Sequence, residues 1–284
     1  MLATLALLHP VTDLVGGNFS LHPSTVLGVL AAGALYEWRA RQGAREAALL
    51  GAPVNELPTV RRAAFYAALL LLLGSLNGPL HDLSDEYLFS AHMVQHLVLQ
   101  LAVAPLALFG VPGWMLRPAL RVPAVRRTAQ KITRPAAAFA IFNVTMAVWH
   151  LPPLYNLALA HHPVHIGQHL TFIVASVVMW WPLAGSLPEL PRPSYPAQIL
   201  YCFLMTIPMS IVAVYITYAD RVLYPLYAIA PRVLGLSPLE DQRLGGLIMW
   251  IPGGLYFLGV LSVVFFQWSQ RGGEDGVDVA QVPA

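Results

Sequence analysis

Residues 87–109 read YLFSAHMVQHLVLQLAVAPLALF and residues 163–184 read PVHIGQHLTFIVASVVMWWPLA. Neither stretch holds a lysine, arginine, aspartate or glutamate, and at 1.5 Å per residue each is long enough to cross a hydrocarbon layer about 30 Å thick. Five further apolar runs flank them, at 23–38, 59–77, 135–150, 196–218 and 244–268. The expected architecture is therefore all-α: a polytopic membrane helix bundle of about seven transmembrane helices over residues 23–268. Residues 1–22 read as an outer interfacial segment, and the polar, glycine-rich residues 269–284 as a disordered cytoplasmic tail. Pro135, Pro163 and Pro196 stand where a helix tolerates proline in its first turn, while Pro105 and Pro208 fall inside runs and predict kinks.

Composition agrees with the runs. Hydrophobic residues make up 57% of the chain and charged residues 11%, against about half and a quarter in soluble domains. A net charge of +2 offers no basic face for nucleic acid. The single cysteine, Cys202, excludes an internal disulfide framework and any Cys-x-x-Cys metal or redox motif. Metal chemistry, if present, must rest on histidine and methionine.

Of the 16 lysines and arginines, all but Arg221, Arg232 and Arg243 fall between an odd-numbered run and the first turn of the next, or after the seventh run. Basic residues are retained on the cytoplasmic side, so the N-terminus is expected outside and the C-terminus inside, in the cell inner membrane. The basic stretch RPALRVPAVRRTAQKITR at 117–134 would then meet anionic headgroups of the lipid bilayer. Trp38, Trp114, Trp149, Trp180 and Trp181 fall near the expected interfaces, where indoles anchor. All ten histidines, which the positive-inside rule does not govern, lie toward the outer face.

Two pairs repeat one spacing. His92 and His96 stand four residues apart in the third run, and His165 and His169 do so in the fifth, so each pair shares one helix face. Both helices enter from the outside, which sets the pairs at similar depth, and His150 at the outer end of the fourth run can reach the same level. Gly167 is expected to admit a neighbouring helix. Ionisable groups inside spans point to function, and imidazole is the common side-chain ligand of zinc, copper and iron. The competing reading is that these histidines cap helices, bond loop carbonyls or line a vestibule. Cys202, Met205 and Met209 form an i, i+3, i+7 stripe, with Met146 four residues before His150. Such a stripe suits Cu(I) but is also ordinary packing. No His-Glu-x-x-His, phosphate-binding loop or nucleophile elbow occurs. Asp82, Asp85 and Glu86 fall in the outer segment ahead of the third run, where they can draw cations electrostatically, although capping of that helix by Ser84-Asp85-Glu86 and solvation are the stronger expectation.

The stretches LSDEYLFSAHMVQHLVLQLAVAPLALFGVP and VWHLPPLYNLALAHHPVHIGQHLTFIVASVVMWWPL resemble the CtaG family of polytopic bacterial cytochrome c oxidase assembly proteins. That resemblance implies a factor needed to produce active haem-copper oxidase, with oxidase subunits as partners. Its motif positions carry over as His92, His96, His150, His165 and His169. The resulting expectation is a metallochaperone, not an enzyme: copper, as Cu(I), is held by the outer-leaflet histidines and passed to a nascent oxidase subunit. Two alternatives stand beside it. One is a bis-histidine haem b protein in membrane electron transfer, and the other is a scaffold subunit of the oxidase whose histidines bind no metal.

Overall fold

The computed structural model describes residues 19–50 and 57–271. The expectations for residues 1–18, which include His9, and for the tail beyond 271 lie outside them. Every described element is helical. In chain order they are α1 (Pro23–Leu50), α2 (Thr59–Ser75) and α3 (Pro79–Asp82), a wide turn over Leu83–Tyr87, then α4 (Phe89–Gly110) and α5 (Gly113–Leu116). There follow α6 (Pro123–Ile132), α7 (Pro135–His150), α8 (Pro152–Ala160), α9 (His162–Ala184), α10 (Tyr195–Thr217), α11 (Pro225–Ile229) and α12 (Pro238–Gln270).

Four of these helices, α4, α9, α10 and α12, are long and apolar enough to cross a membrane, and six crossings result if two bent pairs each make one. The bent pairs are α2 with the Pro79–Tyr87 segment, turned by 46°, and α6 with α7, turned by 77°. The difference from seven lies in α1. Its apolar half ends near Glu37, yet the helix continues to Leu50, past the expected end at residue 38. The reason is local: residues 39–49 are mostly strong helix formers, and Arg39 reaches Gln42 at 2.6 Å and Glu46 at 3.8 Å along the same face. The charged run marks the end of the apolar stretch, not the end of the helix. Likewise α12 begins at Pro238, six residues before its apolar run, because Ser237 and Glu240 close a capping box there.

The helices α4, α7, α9, α10 and α12 share one apolar core around Phe89, Met93, Phe142, Phe172 and Met205. The first helix lies outside it, held to α2 by Tyr36 stacked on Phe65 at 4.0 Å. Arg61, Phe109, Trp181 and Arg192 gather at one end of the bundle. The histidines gather at the other.

Pro105 shapes α4. The backbone over Val98–Val103 widens into a π turn, the usual way a helix absorbs an inserted break. In that register the acceptor for residue 105 is the Gln100 carbonyl, but proline has no N–H to give. The Trp180 indole supplies the donor, at 2.7 Å. Trp180 is thus a buried partner inside the bundle, 3% exposed and stacked on Phe257, and not the interfacial anchor expected of it. The first turn of α4 shows a second correction. Its cap comes from Asp241 of α12, whose carboxylate accepts from Phe89 N at 2.7 Å, Ser90 N at 3.2 Å and Ser90 Oγ at 2.5 Å. The Ser84-Asp85-Glu86 segment is left for another purpose.

Candidate metal centre

The four-residue spacing does place each histidine pair on one face. His92 and His96 have ring centroids 4.2 Å apart, and His165 and His169 4.4 Å apart. The two faces meet: His92 stands 5.8 Å from His165 and 6.1 Å from His169, and His96 stands 5.5 Å from His169. His150 completes the set, 6.2 Å from His96. All five are buried, between 0% and 6% exposed. Gly167 has no part in this contact, since a Cβ there would meet nothing within 4 Å.

Short elements that hydropathy does not show hold the cluster in place. The wide turn over Leu83–Tyr87, closed by Leu88 N to Leu83 O at 2.7 Å, aims Asp85 inward. Its Oδ2 lies 3.2 Å from His165 Nδ1 and 3.5 Å from His81 Nε2. Three tyrosines form a wall along one side of the cluster. Tyr155 of α8 packs 5.1 Å from the His92 ring and meets the Tyr227 hydroxyl at 3.1 Å. Tyr227 of α11 donates to Ser84 O at 2.7 Å, and Tyr224 donates to His150 O at 2.9 Å.

Hydrogen bonds decide which ring nitrogens can bind an ion. The carbonyl oxygen of Met146 only accepts, so His150 Nδ1, 2.7 Å away, carries the proton and Nε2 carries the lone pair. Asp85 does the same for His165: a carboxylate on Nδ1–H leaves Nε2 as the ligand, the arrangement that orients histidines in metal sites. Gln95 extends the chain, because its Nε2 donates to Ser75 O at 2.6 Å and lies 3.2 Å from His81 Nδ1. His81 Nε2 then carries the proton that faces Asp85.

The remaining ring nitrogens have no partner of this kind. His150 Nε2, His165 Nε2 and both ring nitrogens of His92, His96 and His169 are buried and meet no hydrogen-bond partner among the described residues. So do both amide atoms of Gln168. Each such group left unpaired costs about 1–3 kcal/mol, so an arrangement that gathers this many in one place is suited to an ion that satisfies several at once. Asp85, His165 and His169 also bring donor atoms within 4.8 Å of one another, which leaves the carboxylate able to ligate as well as to orient. Neighbouring rings of the set lie 4.2–6.2 Å apart, and Phe172 packs 4.6 Å from His96.

The sulfur stripe makes packing contacts. Met205 accepts from Asn143 Nδ2 at 3.5 Å, Met209 abuts Gly253, and Cys202 is buried. Met146 contributes its carbonyl to His150 Nδ1 at 2.7 Å.

Sequence reasoning found the five histidines and missed their support. The sequence offers Asp85 chiefly as a cap, with cation attraction as the second reading, and gives His81, Gln95 and Gln168 no part. A signal was present: both pairs read His-x-x-Gln-His, and both glutamines are fully buried.

A family model described as cytochrome c oxidase caa3 assembly factor matches residues 32–271. Among curated proteins, an uncharacterized protein of Mycobacterium bovis and one of Mycobacterium tuberculosis are each 24% identical over 200 residues, covering 65% of this chain and 30% of theirs. An uncharacterized protein of Mycobacterium leprae is 20% identical over 236 residues, covering 76% of this chain and 35% of its own. The chain spans about a third of the length of these relatives. No solved structure matches it.

Proposed function

This chain belongs to the cytochrome c oxidase caa3 assembly factor family, and from that premise we propose that it binds copper in the histidine cluster and passes it to an oxidase subunit during assembly. The observation that carries the reading is the gathering of five buried imidazoles, eight of whose ring nitrogens meet no hydrogen-bond partner among the described residues. Imidazole suits copper, and several ligands in excess of those one Cu(I) ion needs allow it to be held and then released by exchange. Copper is cargo here, so the protein acts by binding and transfer rather than by catalysing a reaction.

The transmembrane arrangement belongs to the same proposal. We take α1, α2, α4, α7, α9, α10 and α12 as seven spans in the bacterial cytoplasmic membrane, with the N-terminus and the histidine end outside. The basic residues at the opposite end support this orientation. Copper then arrives from the outer side.

The test is in cells. A strain lacking this protein, grown with limiting copper, is complemented with the wild-type chain or with the His96→Ala/His169→Ala double variant, and the copper content of the purified oxidase is measured. The double variant is expected to leave the oxidase copper-poor. Full maturation with it would refute the reading.

A further inference from the structure

The cluster is closed by Tyr155 and Phe172 on two sides, but one route leads out of it. A cavity of about 280 Å³ between α1, α2 and α9 is lined by His22, His81, His162, His165 and His169. Three of these histidines are outside the set discussed above. Resting on the copper-binding reading, we propose that His22 and His162 form a capture position at the mouth of this cavity, from which a copper ion steps past His81 and Asp85 to His165 and into the cluster.

The rings form an unbroken series. His22 lies 5.7 Å from His162 and 4.5 Å from His81. His81 lies 6.3 Å from His165, with the Asp85 carboxylate against both. His165 then reaches His169 and His92 at 4.4 and 5.8 Å. Two imidazoles bind one ion through nitrogens about 2 Å from it, so neighbours at these spacings can share it after a modest side-chain swing. Burial follows the same order: His22 and His162 are partly exposed, His81 and His165 are buried, and His92 is wholly enclosed.

The mouth is also built. Nothing in the packing of α1 against α2 requires the chain ahead of α1 to reach α9. It is brought there by polar bonds: Asp82 accepts from the Ser20 backbone and hydroxyl, Gly78 N donates to Ser20 O at 3.0 Å, and His22 N donates to Asn77 Oδ1 at 2.6 Å. These bonds fix the backbone at His22 and leave its ring over the cavity. Asp85 beyond it draws a cation inward, as a charged group in a low-dielectric cleft raises the local ion concentration.

The experiment uses the full chain in detergent, without oxygen, mixed rapidly with Cu(I) held by a coloured chelator whose spectrum reports transfer. The His22→Ala/His162→Ala variant is expected to load about tenfold more slowly or worse, the scale on which such local concentration acts. A second variant touches no histidine. Gly28 lines the cavity, and a Cβ there meets nothing within 4 Å, so Gly28→Phe puts a ring into the passage while improving helix propensity. It is expected to slow loading by a similar factor and to reach the wild-type final occupancy. Wild-type rates in both variants would overturn the inference alone. A wild-type chain that takes up no copper would overturn the proposed function, and this inference with it.

Discussion

Replacing Asp85 with asparagine changes one oxygen into an amide nitrogen and leaves the shape of the turn intact. What it removes is the carboxylate that accepts from His165 Nδ1 at 3.2 Å and lies 3.5 Å from His81 Nε2. His165 Nε2 would then no longer be fixed as the lone-pair nitrogen, and the ring would lose its anchor. Loss of such a partner behind a metal ligand costs about 10- to 100-fold in affinity, or about 1.4–2.7 kcal/mol. Asp85→Asn is therefore expected to weaken copper binding by that factor at unchanged stoichiometry. His165→Ala, which removes the ligand itself, is expected to weaken it at least as much. The assay is equilibrium competition against chelators of graded affinity on purified protein, with melting temperature in detergent as a check on folding. Wild-type affinity in Asp85→Asn would refute the argument that this carboxylate orients His165. Loss of stoichiometric binding would show instead that Asp85 is a ligand.

Three other substitutions test the frame that holds the site. Trp180→Phe keeps the stack on Phe257 but leaves the Gln100 carbonyl without its donor; it should destabilise the protein by about 1–3 kcal/mol, read as a lower detergent melting temperature. Asp241→Ala removes three bonds from the start of α4 and should cost about 2 kcal/mol or more. Because His92 lies within the next turn, copper affinity should fall with it in the same competition assay. Gly245→Leu places a side chain against the Phe89 ring and should destabilise the protein by about 1–3 kcal/mol or more through overpacking, whereas Gly254→Leu, where a Cβ meets nothing, should change the melting temperature little.

The elements legible in the sequence are those set by local periodicity. The long apolar runs of α4, α9, α10 and α12 have no competing reading, and two four-residue histidine spacings on such helices fix which face each pair occupies. Depth followed from orientation, so even the meeting of His96 with His150 could be anticipated. What escaped was decided across the chain. Asp241 caps a helix that begins some 150 residues earlier, and no pattern near either residue marks that pairing. Trp180 satisfies a carbonyl that exists as an orphan only because Pro105 widened α4. Asp85 has the spacing of a capping residue and acquires its part in the site from a wide turn whose extra residue re-aims it. The end of α1 was misplaced for a different reason: hydropathy marks where a helix can leave lipid, and helix propensity marks where it stops.

The central claim is that the buried imidazoles hold copper, and the most direct measurement is the metal content of the protein itself. The chain is purified in detergent under reducing, oxygen-free conditions after copper loading, copper and zinc per chain are determined, and X-ray absorption at the copper edge reports the ligand atoms. We predict near-stoichiometric copper bound by nitrogen, without a sulfur shell, and its loss in the His96→Ala/His169→Ala variant. Copper that persists in that variant, copper bound mainly by sulfur, or a wild-type chain that retains none would contradict the account.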